Sequence, residues 1–237
     1  MSKKLGILYG ISVGTGDPEL ITVKGLRLLQ KVSIVAFPAG INNKPGIAQQ
    51  IIAPWLKVEQ ITLSLSFPYV QDEQELQQAW LKAAMEILPH LQQGQDVAFA
   101  CEGDISFYST FTYLAQTILD YDPQIKIETV PGICSPMAAT SVLGIPLTKG
   151  SDRLVIVPAL YHIEHLDQIF KNADVVVLLK VSSVYDQVWQ ILQQFQLLQR
   201  SWVVERATQR DQKIYNDLSD RPQLQLSYFS LLIVKVS

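Results

Sequence analysis

The chain has 237 residues, of which 48% are hydrophobic and 17% charged, with a formal net charge of −3. This balance excludes an intrinsically disordered chain, and the slight acidity argues against a general nucleic-acid binder, which would usually be basic. Only two cysteines occur, Cys101 and Cys134, which excludes a disulfide-rich scaffold and a four-cysteine zinc site. Both lie in apolar sequence and read as reduced core residues. At about 150 residues per domain, the length fits one large or two small domains. The opening MSKKLGILYGISVGTGD is broken early by glycines and has no small-residue cleavage site, so it does not read as a signal peptide. No apolar run approaches the roughly 18 residues that span a bilayer. The expectation is a cytoplasmic protein with no membrane segment.

Taken in chain order, strands and helices alternate. Leu5–Ile11 reads as a strand ending in a glycine-rich turn. Asp17 and Pro18 then open a helix that runs to about Gln30, with Asp17 as cap and Pro18 in the first turn. Val32–Pro38 is a second strand, Asn42–Gly46 a turn, Ile47–Ala53 a helix and Ile61–Leu65 a strand. Glu73–Leu91 is the clearest helix, because Leu76, Ala79, Trp80, Ala83, Ala84, Ile87, Leu88 and Leu91 recur every three or four residues. Asp96–Cys101 reads as a buried strand, Ser109–Leu119 as a helix and Ile125–Val130 as a strand. The Asp120–Gln124 turn, or a point shortly after Val130, marks a domain break. The working division is 1–122, an N-terminal α/β domain, and 123–237, a C-terminal α/β domain. In the second half, Ser135–Leu143 and Val184–Leu198 read as helices. Arg153–Val157, Asp174–Leu179, Trp202–Glu205, Leu224–Leu226 and Ser230–Val236 read as strands. With few helices between the late strands, a mixed sheet with antiparallel pairing is expected there.

Three polar and glycine-rich clusters interrupt this pattern. The first, Gly10 to Pro18, fails the dinucleotide fingerprint and lacks the phosphate-loop Gly-Lys-Ser/Thr. It reads either as a tight turn that uses glycine dihedrals or as a close approach to a ligand. The second, Cys101 to Thr110, follows a buried strand, where open α/β sheets place ligands. It reads as a ligand loop or as a helix start capped by Asp104 or Ser106. The third, Val130 to Ala139, combines a Pro-Gly turn with small residues that pack against a flat ligand or another helix. His162, Glu164 and His165 lack the His-Glu-x-x-His spacing of a metal site, and His90 is far away, so no protein-bound metal is expected. Trp55, Trp80, Trp189 and Trp202 read as core or interface residues.

In this order the clusters GISVGTGDPELITVKG, EGDISFYST and VPGICS resemble the motifs of the tetrapyrrole (corrin/porphyrin) methyltransferases. The phrase from Glu102 to Phe111, together with Val204–Gln209, most resembles the subgroup that methylates C20 of precorrin-2 in cobalamin (vitamin B12) biosynthesis. The likeness runs over about Leu5 to Val236, with one departure: Ile105 stands where the family usually has proline.

The resemblance implies two α/β domains with S-adenosylmethionine in the cleft between them, a tetrapyrrole as substrate and a homodimer. Gly103, Asp104, Ser106 and Phe107 are then expected on the methionine side of the cofactor, and Cys134 and Ser135, the pair after Pro-Gly-Ile, are expected to touch it. Leu179, Lys180, Arg206, Ala207 and Thr208 are expected near the adenine. Gly14, Gly16, Asp17 and Pro18 are expected to face the tetrapyrrole, with Lys149 and Arg153 as cations for its carboxylates, and Lys180 and Arg206 as further candidates. Asp104 and Tyr108 are the candidates for taking a proton from the methylated carbon. No covalent nucleophile is needed, because the sulfonium cofactor carries the difficult chemistry. Three readings stay open: methylation of another tetrapyrrole carbon, an RNA or diphthamide methyltransferase of the same superfamily, and a non-catalytic cofactor-binding module. The residues do not distinguish a metal-free from a cobalt-containing acceptor.

Overall fold

The computed structural model describes residues 4–40, 44–68, 70, 72–159 and 163–236. The chain divides into two compact units, Met1–Cys134 and Ser135–Ser237. The division falls after residue 134, the alternative shortly after Val130 and not the break at 122, because the strand that follows the Asp120–Gln124 turn joins the first sheet.

The first unit is built on β1 (Ile7–Ser12), β2 (Ile34–Pro38), β3 (Ile61–Leu65), β4 (Val97–Cys101) and β5 (Lys126–Val130). All are parallel, in the order β3-β2-β4-β1-β5. Side chains alternate between the two faces of such a sheet, and both faces here are covered. Leu8, Ile34, Ala36, Val97 and Phe99 point to one face and pack on α3 (Glu73–Gln92) and α4 (Thr110–Tyr121). Tyr9, Ile11, Val35, Phe37, Ala98 and Ala100 point to the other, against α1 (Val23–Lys31) and α2 (Ile47–Ile52).

The helix expected to open at Asp17 is two pieces. Asp17 caps only the 3-10 turn Pro18–Leu20, accepting from the N–H of Glu19. Ile21 is extended, and Thr22 then caps α1 by accepting from the N–H of Gly25. The expected α3 is present, with Asp72 as its cap and Ala83, Ala84, Ile87, Leu88 and Leu91 on its buried face. The expected turn at Asn42–Gly46 lies partly outside the described residues.

The second unit holds β6 (Leu154–Pro158), β7 (Val175–Leu179), β8 (Ser201–Glu205), β9 (Lys213–Asn216) and β10 (Ser230–Lys235) in the order β6-β7-β10-β8-β9. Only β6 and β7 pair in parallel; β10 runs antiparallel to β7 and β8, and β9 antiparallel to β8. The mixed sheet expected from sequence is therefore present. One face carries Val176, Leu178, Val203, Leu232 and Val234, packed with α6 (Leu166–Asn172) and α7 (Tyr185–Gln194). Helix α5 (Ser135–Leu143) lies against β10. The helix expected over Val184–Leu198 ends at Gln194, and a left-handed Gln196 separates it from a 3-10 turn at Leu198–Arg200. Leu224–Leu226 is not a strand: both leucines are half-buried against the second core without ladder pairing. The strand in that region is β9, a short polar edge.

Phe99 is fully buried in the first core, beside Phe67 and Phe111. Phe99→Ala is expected to lower stability by about 3–5 kcal/mol, read as an earlier urea unfolding midpoint.

Candidate functional site

Strands β4, β1 and β5 are neighbours, so their carboxyl ends bring the three sequence clusters side by side. In open parallel sheets this edge is where ligands bind. The first two clusters are joined directly. The N–H of Val13 donates to the carbonyl of Cys101, and Gly14 and Gly103 exchange backbone hydrogen bonds of 3.3 and 2.6 Å. Both glycines are in the left-handed region, at φ of 79° and 73°.

Asp104 closes the arrangement. Its Oδ2 accepts from the N–H of Gly132 at 2.7 Å and from the hydroxyl of Ser12 at 3.5 Å. Its Oδ1 accepts from both the N–H and the hydroxyl of Ser106, at 2.9 and 2.5 Å. Ser12 in turn accepts from the N–H of Ile105 at 2.8 Å. One carboxylate thus ties the ends of β1, β4 and β5. Burial by itself pushes the Asp104 pKa up, but the bonds from Ser106, Gly132 and Ser12 outweigh it and hold the carboxyl below its ordinary value. A carboxylate already saturated by protein donors is a poor proton acceptor, so the geometry favours an organising role for Asp104 over a basic one.

The rest of the loop follows from this. Ile105 is buried in the core, so apolar contact anchors the position where proline was expected. The N–H of Phe107 donates to the carbonyl of Asp104 at 3.1 Å, closing a four-residue turn. Tyr108 is left-handed at φ 51° and exposed, edge-on to Phe107 at 4.9 Å. Such a backbone is uncommon for a bulky residue and is found at ligand loops. The cap of α4 is Ser109, rather than Asp104 or Ser106, and its hydroxyl also lies 3.1 Å from Cys101 Sγ. Burial pushes the Cys101 thiol far up, leaving it inert. A Cβ placed on Gly103 meets nothing within 4 Å, so its Cα faces open space. On Gly132 the same atom falls 2.4 Å from the Cβ of Ser12, which requires glycine there. Cys134 is half-buried and Ser135 is the first residue of α5. Gly16 follows Gly14 into the turn that Asp17 caps, and the carbonyl of Pro18 accepts from the indole N–H of Trp55 at 3.3 Å.

In the second unit, Leu179 and Lys180 stand at the end of β7, and Arg206, Ala207 and Thr208 at the end of β8. These ends lie on the same edge of the sheet. Lys180, Arg206 and Thr208 are all left-handed. Lys180 Nζ is 5.3 Å from the centre of the Tyr228 ring. Arg206 pairs with Asp211 at 2.5 Å, and its N–H donates to the carbonyl of Phe229. The N–H of Thr208 donates to Gln212 Oε1 at 2.7 Å.

The other two expected cations are elsewhere. Arg153 precedes β6 and pairs with Asp174 at 2.9 Å. The N–H of Lys149 donates to Asp152 in the loop before it. Register places Arg153 about six residue steps, or about 20 Å, from the level of Lys180 along the sheet. The structure thus separates Lys149 and Arg153 from the second unit's other named residues. His162 lies outside the described residues; Glu164 and His165 share one 3-10 turn. Among the described residues no group of three metal-ligating side chains stands together, and no helix is long and apolar enough to cross a membrane.

Sequence reasoning missed Ser12, whose only signal is a polar residue ending an apolar strand. It also gave no role to Glu205, which is buried and accepts from the N–H of Ser227.

Because the Asp104 pKa is depressed from its ordinary 3.8, its stabilising contribution is complete above that value and is lost as pH falls through the lower native one. The stability difference between wild type and Asp104→Asn is expected to be constant from about pH 8 to about pH 5 and to shrink below about pH 4. Urea titrations across this range measure it; a difference unchanged at low pH contradicts the assignment.

The family model for tetrapyrrole (corrin/porphyrin) methylases matches residues 7–221. The chain is 29% identical to the probable cobalt-precorrin-2 C(20)-methyltransferase of Methanocaldococcus jannaschii, over 99% of this chain and 98% of that one. It is also 29% identical to the cobalamin biosynthesis protein CobIJ of Mycobacterium tuberculosis, over 97% of this chain. It spans only 46% of that relative, about half its length. Among solved structures, uroporphyrin-III C-methyltransferase from Thermus thermophilus complexed with S-adenosyl homocysteine superposes with a TM-score of 0.68 at 18% identity. The match covers 97% of this chain and 92% of that one, and at such identity it shows the shared fold. With the family model spanning nearly the whole chain and the motif clusters joined at one sheet edge, the chain belongs to the tetrapyrrole (corrin/porphyrin) methylases.

Proposed function

We propose that this chain is an S-adenosylmethionine-dependent C-methyltransferase that methylates C20 of precorrin-2, or of its cobalt-containing counterpart, in cobalamin biosynthesis. The observation that carries this reading is the backbone pairing of Gly14 with Gly103, together with the tie from the adjoining Asp104 carboxylate to the N–H of Gly132, with Gly103 left open. The names of the relatives support the choice of C20, because they match nearly the full chain. Cytoplasmic residence and a homodimer remain part of the proposal.

The open face of Gly103 fits a cofactor that approaches the backbone, since any side chain there would occupy that space. Gly103, Ser106, Phe107, Cys134 and Ser135 are the proposed contacts for the methionine part, and Leu179, Lys180, Arg206, Ala207 and Thr208 for the adenosine part. When bound, S-adenosylmethionine supplies an electrophilic methyl group on a sulfonium. The protein's work is alignment and exclusion of water, and such positioning contributes on the order of 7–11 kcal/mol. The Gly14–Pro18 segment is proposed to face the tetrapyrrole. The backbone hydrogen bonds between Gly14 and Gly103 support a substrate side that adjoins the cofactor side. Of the candidate cations, Lys180 and Arg206 fit the substrate's carboxylates better than Lys149 and Arg153, because they stand at the same sheet edge as the other named residues. Tyr108, exposed at the loop tip, is the proposed relay for the proton released from C20, its phenol passing its own proton to solvent as it takes up the released one.

Purified protein incubated with S-adenosylmethionine and either precorrin-2 or cobalt-factor II is expected to yield a product one methyl heavier, placed at C20 by NMR. Intact acceptors in both incubations overturn the C20 reading. Gly103→Ala is expected to weaken S-adenosylhomocysteine binding at least about tenfold by calorimetry. Its fold is expected to survive, because the left-handed backbone costs only about 1–2 kcal/mol. Tyr108→Phe is expected to lower kcat by about a hundredfold or more with cofactor affinity unchanged.

A further inference from the structure

Ile105 presents a backbone problem that its side chain does not solve. It is the second residue of the turn closed by the Phe107 N–H and the Asp104 carbonyl. Proline is favoured at that place in such turns and brings no N–H to satisfy. Here the residue is isoleucine and is buried, so its N–H is taken out of water and needs an acceptor. The acceptor is the hydroxyl of Ser12, itself fully buried at the end of β1, at 2.8 Å. The same hydroxyl has one proton to donate, and it faces Asp104 Oδ2 at 3.5 Å. A Cβ built on Gly132 would fall 2.4 Å from the Cβ of Ser12, so the two segments approach this closely only because residue 132 is glycine.

We infer that Ser12 is a positioning residue for the cofactor loop: it satisfies the buried Ile105 N–H and braces the Asp104 carboxylate. This rests on the reading of the loop as the cofactor site. Ser12 touches no reacting atom and acts through Asp104 and Gly103. Removing the hydroxyl strands the Ile105 N–H in the core, and stranding a buried donor is the more damaging half of breaking a hydrogen bond. Proline at 105 removes that donor, so it should relieve the need for Ser12.

The test compares wild type, Ser12→Ala, Ile105→Pro and the double variant, with S-adenosylhomocysteine affinity read by calorimetry well below each melting temperature. Ser12→Ala is expected to weaken binding about tenfold in the wild-type background and at most about threefold in the Ile105→Pro background. A loss below about twofold in wild type, or an equal loss in both backgrounds, overturns the inference. A merely structural serine would lower the melting temperature in both backgrounds and leave the affinity of the folded protein alone. Amide hydrogen exchange on the unliganded wild type is a second readout that needs no variant. The Ile105 amide is expected to be protected like the core of β4, and exchange as fast as that of exposed loop amides overturns the inference. If wild type binds no S-adenosylhomocysteine while the Ile105 amide is protected, the cofactor reading fails and the positioning role falls with it. Binding in wild type with no effect of Ser12→Ala removes this inference alone.

Discussion

A single carboxylate organises the carboxyl edge of the first sheet. Asp104 receives donors from three places far apart in sequence: Ser12 at the end of β1, Ser106 in its own loop and Gly132 after β5. Parallel strands place their carboxyl ends at one level but do not by themselves fix the loops that leave them. The Asp104 bonds do so, and the reciprocal bonds between Gly14 and Gly103 add a second tie. The glycines matter for the same reason. Gly132 is required because Ser12 occupies the space a side chain would need, whereas Gly103 leaves its outer face open. One glycine is thus set by packing and the other by access.

This division explains how a chain without a catalytic triad or a metal cluster among its described residues fits methyl transfer. In the proposed reaction the reactive methyl group belongs to the cofactor, which leaves the protein to hold, align and dry the reactants. A rigid backbone rim with few free polar groups suits that task better than an array of titratable side chains. The saturation of Asp104 belongs to this logic: a carboxylate that already accepts from Ser12, Ser106 and Gly132 is better suited to bracing the loop than to collecting a proton. The left-handed residues Lys180, Arg206 and Thr208 show a related use of backbone in the second unit, where the chain turns sharply at the ends of β7 and β8.

Much of this was legible in the sequence. The apolar runs and the period of α3 located the buried elements, and glycine and proline marked the loops. The sparse helices after Val157 indicated the mixed second sheet. What could not be read was adjacency. Only the order β4-β1-β5 puts the three clusters together, and strand order depends on crossovers that local sequence does not encode. Ser12 escaped notice because one serine at the end of an apolar strand carries no pattern. Arg153 was named by residue type, and only the register of β6 on β7 shows it at the far end of the sheet beside Asp174. Leu224–Leu226 imitates a strand because half-buried leucines alternate there for packing reasons, while β9 is too short and polar to announce itself.

The most direct measurement of the central claim is an NMR titration of the isotope-labelled protein with S-adenosylhomocysteine, following backbone amides. The account predicts that Gly14, Gly103, Ser106 and Gly132 shift first and furthest. Shifts concentrated instead at the opposite end of the first sheet, around the hollow lined by Lys4, Lys31, Asp96 and Lys126, would contradict it.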